Sequence, residues 1–193
     1  MQRIILASGS PRRRQLLDQV GIVHEVIVSD VDETIDGPPD DQVQALALRK
    51  AYAVRDMMDG NATIIAADTL VYVDGEVLSK PTCPDDAFKM LRTLSGRAHT
   101  VYSGVAVLQI DANEVKEKSF VDTTRVYFRD LTDSEIWAYI NTGEPFDKAG
   151  SYGVQDRGAL LVDRVEGDYF TVVGLPVAKL AVTLREMGVE VWQ

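Results

Sequence analysis

Two hairpin signals limit what this chain can fold into more than any other feature of its 193 residues. Asp74-Gly75 divides the run 63–80 into two strand-like halves, and a two-residue turn of that type joins twisted antiparallel strands. Paired positions across it should sum to 149, which sets Thr69 opposite Lys80; a single bulge would set Asp68 there instead. Two longer runs, about 98–110 and 114–129, flank the polar turn Asp111-Ala112-Asn113. Helix signals fall between these runs. The expected class is therefore α/β in its mixed α+β form, a central mixed β-sheet with flanking helices, too rich in hairpins for a doubly wound parallel sheet.

Local signals fill in the remaining elements. Residues 3–7 read as a buried strand. Ser10-Pro11 supplies an N-cap and a proline at the first helical position, and Gly21 closes that helix. Alternation at 24–28 marks a second strand, and a helix over about 41–58 stops at Asp59-Gly60-Asn61. A short helix covers 84–94. Thr132-Asp133-Ser134-Glu135 is a capping box opening a helix that ends near Gly143. The stretch 144–158 reads as a glycine-bearing loop, 159–165 and 169–173 as strands, and 176–187 as the closing helix. One domain over 1–193 is expected, with two lobes around a central cleft as one arrangement of it.

Composition narrows the function classes. Acids outnumber bases by 30 to 20, giving a net charge of −10, and the pI is near 4.6. Nucleic-acid polymers and anionic membranes need a basic surface, so neither is an expected partner. A local cluster of Arg and Lys can still bind a small anion such as a nucleotide. The single cysteine, Cys83, cannot close an internal disulfide, which suits a reducing compartment. No apolar run approaches the ~18 residues of a spanning helix. The start, Met1-Gln2-Arg3-Ile4-Ile5-Leu6-Ala7, is too short for a signal-peptide core. A cytoplasmic location is expected.

Four places carry chemistry. Leu6-Ala7-Ser8-Gly9-Ser10-Pro11-Arg12-Arg13-Arg14 combines hydroxyls, a glycine and a helix N-terminus, the parts of an anion site. It is not a P-loop, since no Gly-Lys-Ser/Thr follows. Arg13 heads the stripe of Leu16, Leu17 and Val20, with Arg12 and Arg14 roughly 100° to either side. A solvated first turn is the plainer reading, but cations there oppose the helix dipole unless an anion joins them. In the second helix Lys50 interrupts the apolar face of Val43, Leu46, Ala47, Val54 and Met57. It either snorkels past the core edge or aims an ammonium into a partly buried anionic site; Arg49 points to solvent. Asp68 breaks an apolar strand and is costly there unless paired, hydrogen-bonded or metal-bound. A structural ion pair is the plainer account of it. Glu33 offers another carboxylate in an acidic loop, and the loop 143–155 mixes acid, base, aromatic and amide groups. His24, His99 and Cys83 fit no triad or metal spacing and read as structural.

Leu6-Ala7-Ser8-Gly9-Ser10-Pro11-Arg12-Arg13, Val31-Asp32-Glu33, Ala67-Asp68-Thr69, Ser79-Lys80-Pro81 and Asp147-Lys148-Ala149-Gly150-Ser151-Tyr152-Gly153-Val154-Gln155 resemble, in order, the motifs of the Maf nucleotide pyrophosphatases. The resemblance runs from residue 3 to Val173-Gly174-Leu175-Pro176. It implies an elongated fold like that of the inosine-triphosphate pyrophosphatases, frequent homodimers, and hydrolysis of nucleoside triphosphates with a divalent cation, Mg²⁺ or Mn²⁺. Arg12, Thr69 and Gln155 match the dTTP/UTP branch, whose substrates would extend to modified pyrimidine nucleotides. The 7-methyl-GTP branch differs at these places. Asp156 departs from the glycine usual in the matching branch.

The resemblance and the residues together suggest roles. Asp68 would act as general base or as a metal-anchored activator of water attacking the α-phosphorus, and Lys80, catalytic with it, would join Arg13 and Lys50 in neutralising the triphosphate and the leaving pyrophosphate. Glu33 and Asp68 would hold the metal. Ser8, Arg13, Lys50 and Lys148 would bind the substrate, and Arg12, Thr69 and Gln155 would set base preference. The other readings are the same chemistry on a purine or modified nucleotide, and a nucleotide-binding regulator of septum formation.

Overall fold

Short apolar strands alternating with helices assemble, in the computed structural model, into a seven-stranded mixed sheet. The structure describes residues 3–112 and 114–191; Asn113 of the expected turn lies outside them. In chain order the elements are β1 (Ile4–Leu6), α1 (Pro11–Gln19), β2 (Glu25–Val26), α2 (Pro39–Arg55), β3 (Ala62–Val73), β4 (Glu76–Leu78) and α3 (Pro84–Leu94). β5 (Ala98–Asp111), β6 (Glu114–Phe128), α4 (Asp133–Ile140), β7 (Val162–Glu166), α5 (Tyr169–Val173) and α6 (Val177–Glu186) follow. The strands lie in the order β2-β1-β3-β5-β6-β7, with β4 beside β3. β1 is parallel to β2 and β3, whereas β4 is antiparallel to β3 and β7 to β6. The mixed sheet with flanking helices is the class the sequence led us to expect.

The turn chemistry behaves as its residues dictate. Asp74 and Gly75 both have positive φ, 51° and 89°, the conformation of the turns that favour Asp-Gly. The register is the expected one, with Val71↔Leu78, Tyr72↔Val77 and Val73↔Glu76. Thr132 and Glu135 form the capping box of α4.

Residues 169–173 are not a strand but α5, because Asp168 caps the turn: its carboxylate accepts from Phe170 N–H at 2.9 Å and its carbonyl from Thr171 N–H at 3.2 Å. Those local bonds outweigh the β-propensity of Tyr, Phe, Thr and Val. The strand expected over 159–165 begins only at Val162, after a 3-10 helix over Asp156–Leu161. The alternating run at 24–28 pairs over two residues alone, leaving Val26 and Val28 exposed at the sheet edge. α2 starts at Pro39, where proline suits the first helical turn. Ser10 occupies the cap position of α1, but its hydroxyl makes no capping bond.

The chain divides into two compact units. One comprises Met1–Asp68, Ser103–Asp122 and Gly174–Gln193; the other comprises Thr69–Tyr102 and Thr123–Val173. In the first, Ala47, Ala51 and Val54 of α2 pack on Ile5, Ala7, Ala62, Ile64, Ala66, Ala106 and Leu108. Alanine on the facing surfaces lets helix and sheet approach closely. In the second, Leu91 and Leu94 of α3 and Ile136, Tyr139 and Ile140 of α4 pack with Phe128, Tyr152 and Leu161. The division falls between Asp68 and Thr69, neighbours on β3.

Candidate functional site

In the first unit, β1 ends at Leu6 and delivers Ser8, buried, to the turn before α1. The Ser8 hydroxyl accepts from Ser10 N–H at 3.2 Å and from Arg13 Nη1 at 3.1 Å. Arg13 Nε donates to the Gly174 carbonyl at 2.8 Å. Arg13 therefore turns inward, as its place at the head of the buried stripe requires. Burial lowers its pKa, Asp68 opposes that shift, and the charge of Arg12 adds to it.

Asp68 and Lys50 explain each other. Lys50 Nζ lies 2.7 Å from Asp68 Oδ1 and 2.7 Å from Glu33 Oε1. The side chains of Lys50 and Asp68 are each only 14% exposed, so water screens the pair little. The anionic site into which Lys50 points is the protein's own. Two carboxylates from a loop and a strand converge on one cationic atom, a geometry that suits a divalent cation. Mg²⁺ takes one or two protein carboxylates and completes its shell with water and phosphate oxygens. Among the described residues no group of three or more His, Cys, Asp or Glu could hold a metal ion, so Glu33 and Asp68 would have to be supplemented by water and phosphate oxygens.

Arg49 was expected to face solvent, and its role was missed. It is exposed, yet its guanidinium donates to the carbonyls of Asp32 and Thr34, clasping the loop that carries Glu33. Asp32 reinforces that loop by accepting from Thr34 N–H at 2.9 Å. Neighbouring positions on α2 thus hold the two ends of one device, Arg49 the loop backbone and Lys50 its carboxylate. A second cation beside the lysine was the only sequence signal available.

In the second unit, the β3–β4 ladder ends at Val71↔Leu78, so the expected Thr69–Lys80 pairing is never reached. Pro81, with no N–H to donate, prevents the strand from continuing. The Ser79 carbonyl instead accepts from Gly150 N–H at 3.2 Å, joining the Ser79-Lys80-Pro81 segment to the 144–158 loop. Lys80 is exposed and Thr69 half-buried. That loop is more ordered than its composition suggests, holding 3-10 turns at Glu144–Asp147 and Ala149–Ser151.

Lys148 Nζ donates to the Glu144 carbonyl at 2.6 Å and to Asp147 Oδ1 at 2.8 Å. Gln155 is half-buried at the tip of a tight return, followed by Asp156 at φ 52°. That left-handed backbone is the one glycine adopts most freely, which accounts for the glycine usual at this position. Below it, Tyr152 Oη lies 2.6 Å from His99 Nε2, and both rings meet Phe128 edge-to-face. Burial pushes the Tyr152 pKa up and the His99 pKa down to about 4.

The Maf-like protein family matches residues 3–187. A dTTP/UTP pyrophosphatase of Moorella thermoacetica is 50% identical over 194 residues, covering 100% of this chain and 98% of its own. A dTTP/UTP pyrophosphatase of Bacillus cereus is 45% identical, covering 99% and 98%. Among solved structures, the Staphylococcus aureus Ham1 protein shares the fold, with a TM-score of 0.56 at 16% identity over 96% of this chain and 100% of its own.

Proposed function

This chain belongs to the Maf-like protein family, and from that premise we propose that it is a pyrophosphatase hydrolysing dTTP and UTP to the nucleoside monophosphate and pyrophosphate. The observation that carries the chemistry is the convergence of Asp68 and Glu33 on one cationic atom, 2.7 Å from each. Full-length relatives named for this activity support the substrate class.

A divalent cation, Mg²⁺ or Mn²⁺, held by Glu33 and Asp68 would neutralise phosphate charge and favour deprotonation of the attacking water. Asp68 accepts the proton as that water attacks the α-phosphorus. Lys50, now held by both carboxylates, is a movable ammonium: phosphate oxygens compete for it, and it follows them. Arg13 is fixed by Ser8 and Gly174 and presents its charge without rearrangement, as electrostatic stabilisation of phosphoryl transfer requires. Lys80 and Lys148 would act on phosphate charge, and Arg12, Thr69 and Gln155 on the base; these roles rest on the family resemblance. The Gln155 amide can present both a donor and an acceptor to the O4 and N3–H of uracil or thymine.

The same reading makes the protein a single-domain cytoplasmic enzyme of a family with frequent homodimers, one that needs neither nucleic-acid polymer nor membrane. No helix among the described residues is long and apolar enough to cross a membrane. The test is release of pyrophosphate from a panel of common and modified nucleoside triphosphates with Mg²⁺, Mn²⁺ or EDTA. dTTP and UTP should lead, and EDTA should abolish turnover. Preference for 7-methyl-GTP would move the assignment to the other branch, and binding without turnover would leave a nucleotide-binding regulator.

A further inference from the structure

We propose that Tyr139 is a positioning residue that fixes the backbone presenting Gln155, and so governs base selectivity without touching the base. The inference rests on the reading of Gln155 as the base-recognising amide. The Tyr139 ring lies on α4 inside the second unit's core, only 4% exposed. The capping box of Thr132 and Glu135 fixes the start of that helix.

The hydroxyl emerges from the core at the neck of the Gln155 return. It accepts from Gly153 N–H at 3.2 Å. On the other side of the neck, a Cβ at Gly158 would lie 2.9 Å from the same hydroxyl and 1.9 Å from the Gly153 carbonyl. Gly153 and Gly158 therefore close against each other with the Tyr139 oxygen at the junction, and Gln155 is the half-buried residue the closure presents.

The hydroxyl is anchored from behind as well. Burial raises its pKa, and the Glu144 carboxylate adds to that by charge and hydrogen bonding, so the hydroxyl keeps its proton. Glu144 also gives its carbonyl to Lys148, whose stem lies 2.8 Å from where a Gly153 Cβ would stand. Amide recognition of a base edge tolerates little displacement, because both of its bonds are directional. A hydroxyl on a rigid helix holding the loop two residues before the amide is the element that limits such displacement.

Tyr139→Phe removes one oxygen and keeps the packed ring. We expect the kcat/KM ratios of UTP over CTP and UTP over ATP to fall about threefold to tenfold, the fold-change of one neutral hydrogen bond. In a Gln155→Ala background the same substitution should leave the ratios unchanged. The Gly153 amide should also exchange with solvent faster in Tyr139→Phe, read by NMR. Glu144→Gln, which alters the partner of the hydroxyl without altering the core, should move the ratios in the same direction by less. If Gln155→Ala lowers the ratios but neither Tyr139→Phe nor Glu144→Gln does, positioning by Tyr139 is overturned and base reading stands. If Gln155→Ala leaves the ratios unchanged, both are overturned.

Discussion

On the proposed function, Asp68 would serve stability and chemistry at once. A carboxylate in an apolar strand is tolerable because the Lys50 ammonium meets it at 2.7 Å, and that same ammonium and carboxylate are the groups a phosphate substrate and a cation would recruit. The two roles separate by mutation. Asp68→Asn keeps the shape and removes the charge, so a general base contributing about 10²–10⁴-fold should be lost with the fold intact. Circular dichroism and steady-state rates on the same sample check this; normal turnover in a folded Asp68→Asn protein would assign Asp68 to structure alone. Residues of this kind were legible because each breaks a pattern, Asp68 in a strand and Lys50 on an apolar helix face. Arg49 and Tyr139 break none. Arg49 acts through carbonyls brought to it by folding, and Tyr139 looks like any core aromatic until its hydroxyl is followed to Gly153.

At the scale of elements, short-range turn chemistry was readable and competition between local bonds was not. Asp74-Gly75 gave the right register to the residue, since the turn type leaves a single way to pair the strands. The run Tyr169–Val173 misled, because strand-like side chains follow an aspartate able to cap a helix. The 144–158 loop hid its order in tertiary contacts of its glycines, and Gly158 within it contrasts with Gly143 just before it. Gly143 has φ 81° with open space where a Cβ would go, whereas a Cβ at Gly158 would collide with the Gly153 carbonyl. Gly143→Ala should therefore cost only backbone strain, ~1 kcal/mol, and leave base selectivity alone. Gly158→Ala must displace the neck beneath Gln155 and should lose selectivity as well as about 1–3 kcal/mol of stability. Thermal melts with kcat/KM ratios on both variants distinguish the two effects.

Across the whole molecule, stability and reaction each give a signal. His99 is buried with Nδ1 unbonded and its pKa depressed to about 4. Between that value and the ordinary 6.5 the unfolded chain binds a proton that the folded one refuses, so stability is full above about pH 6.5 and falls toward pH 4. The loss is on the order of 3 kcal/mol, and urea midpoints measured across this range should slope less steeply in His99→Gln than in the parent. The central claim concerns where water attacks. It is tested most directly by hydrolysing UTP and dTTP in ¹⁸O-water with purified protein and locating the label by mass spectrometry or ³¹P NMR. Attack at the α-phosphorus predicts one ¹⁸O in the monophosphate and none in pyrophosphate. Label in pyrophosphate, or in orthophosphate with a nucleoside diphosphate as the other product, would contradict it.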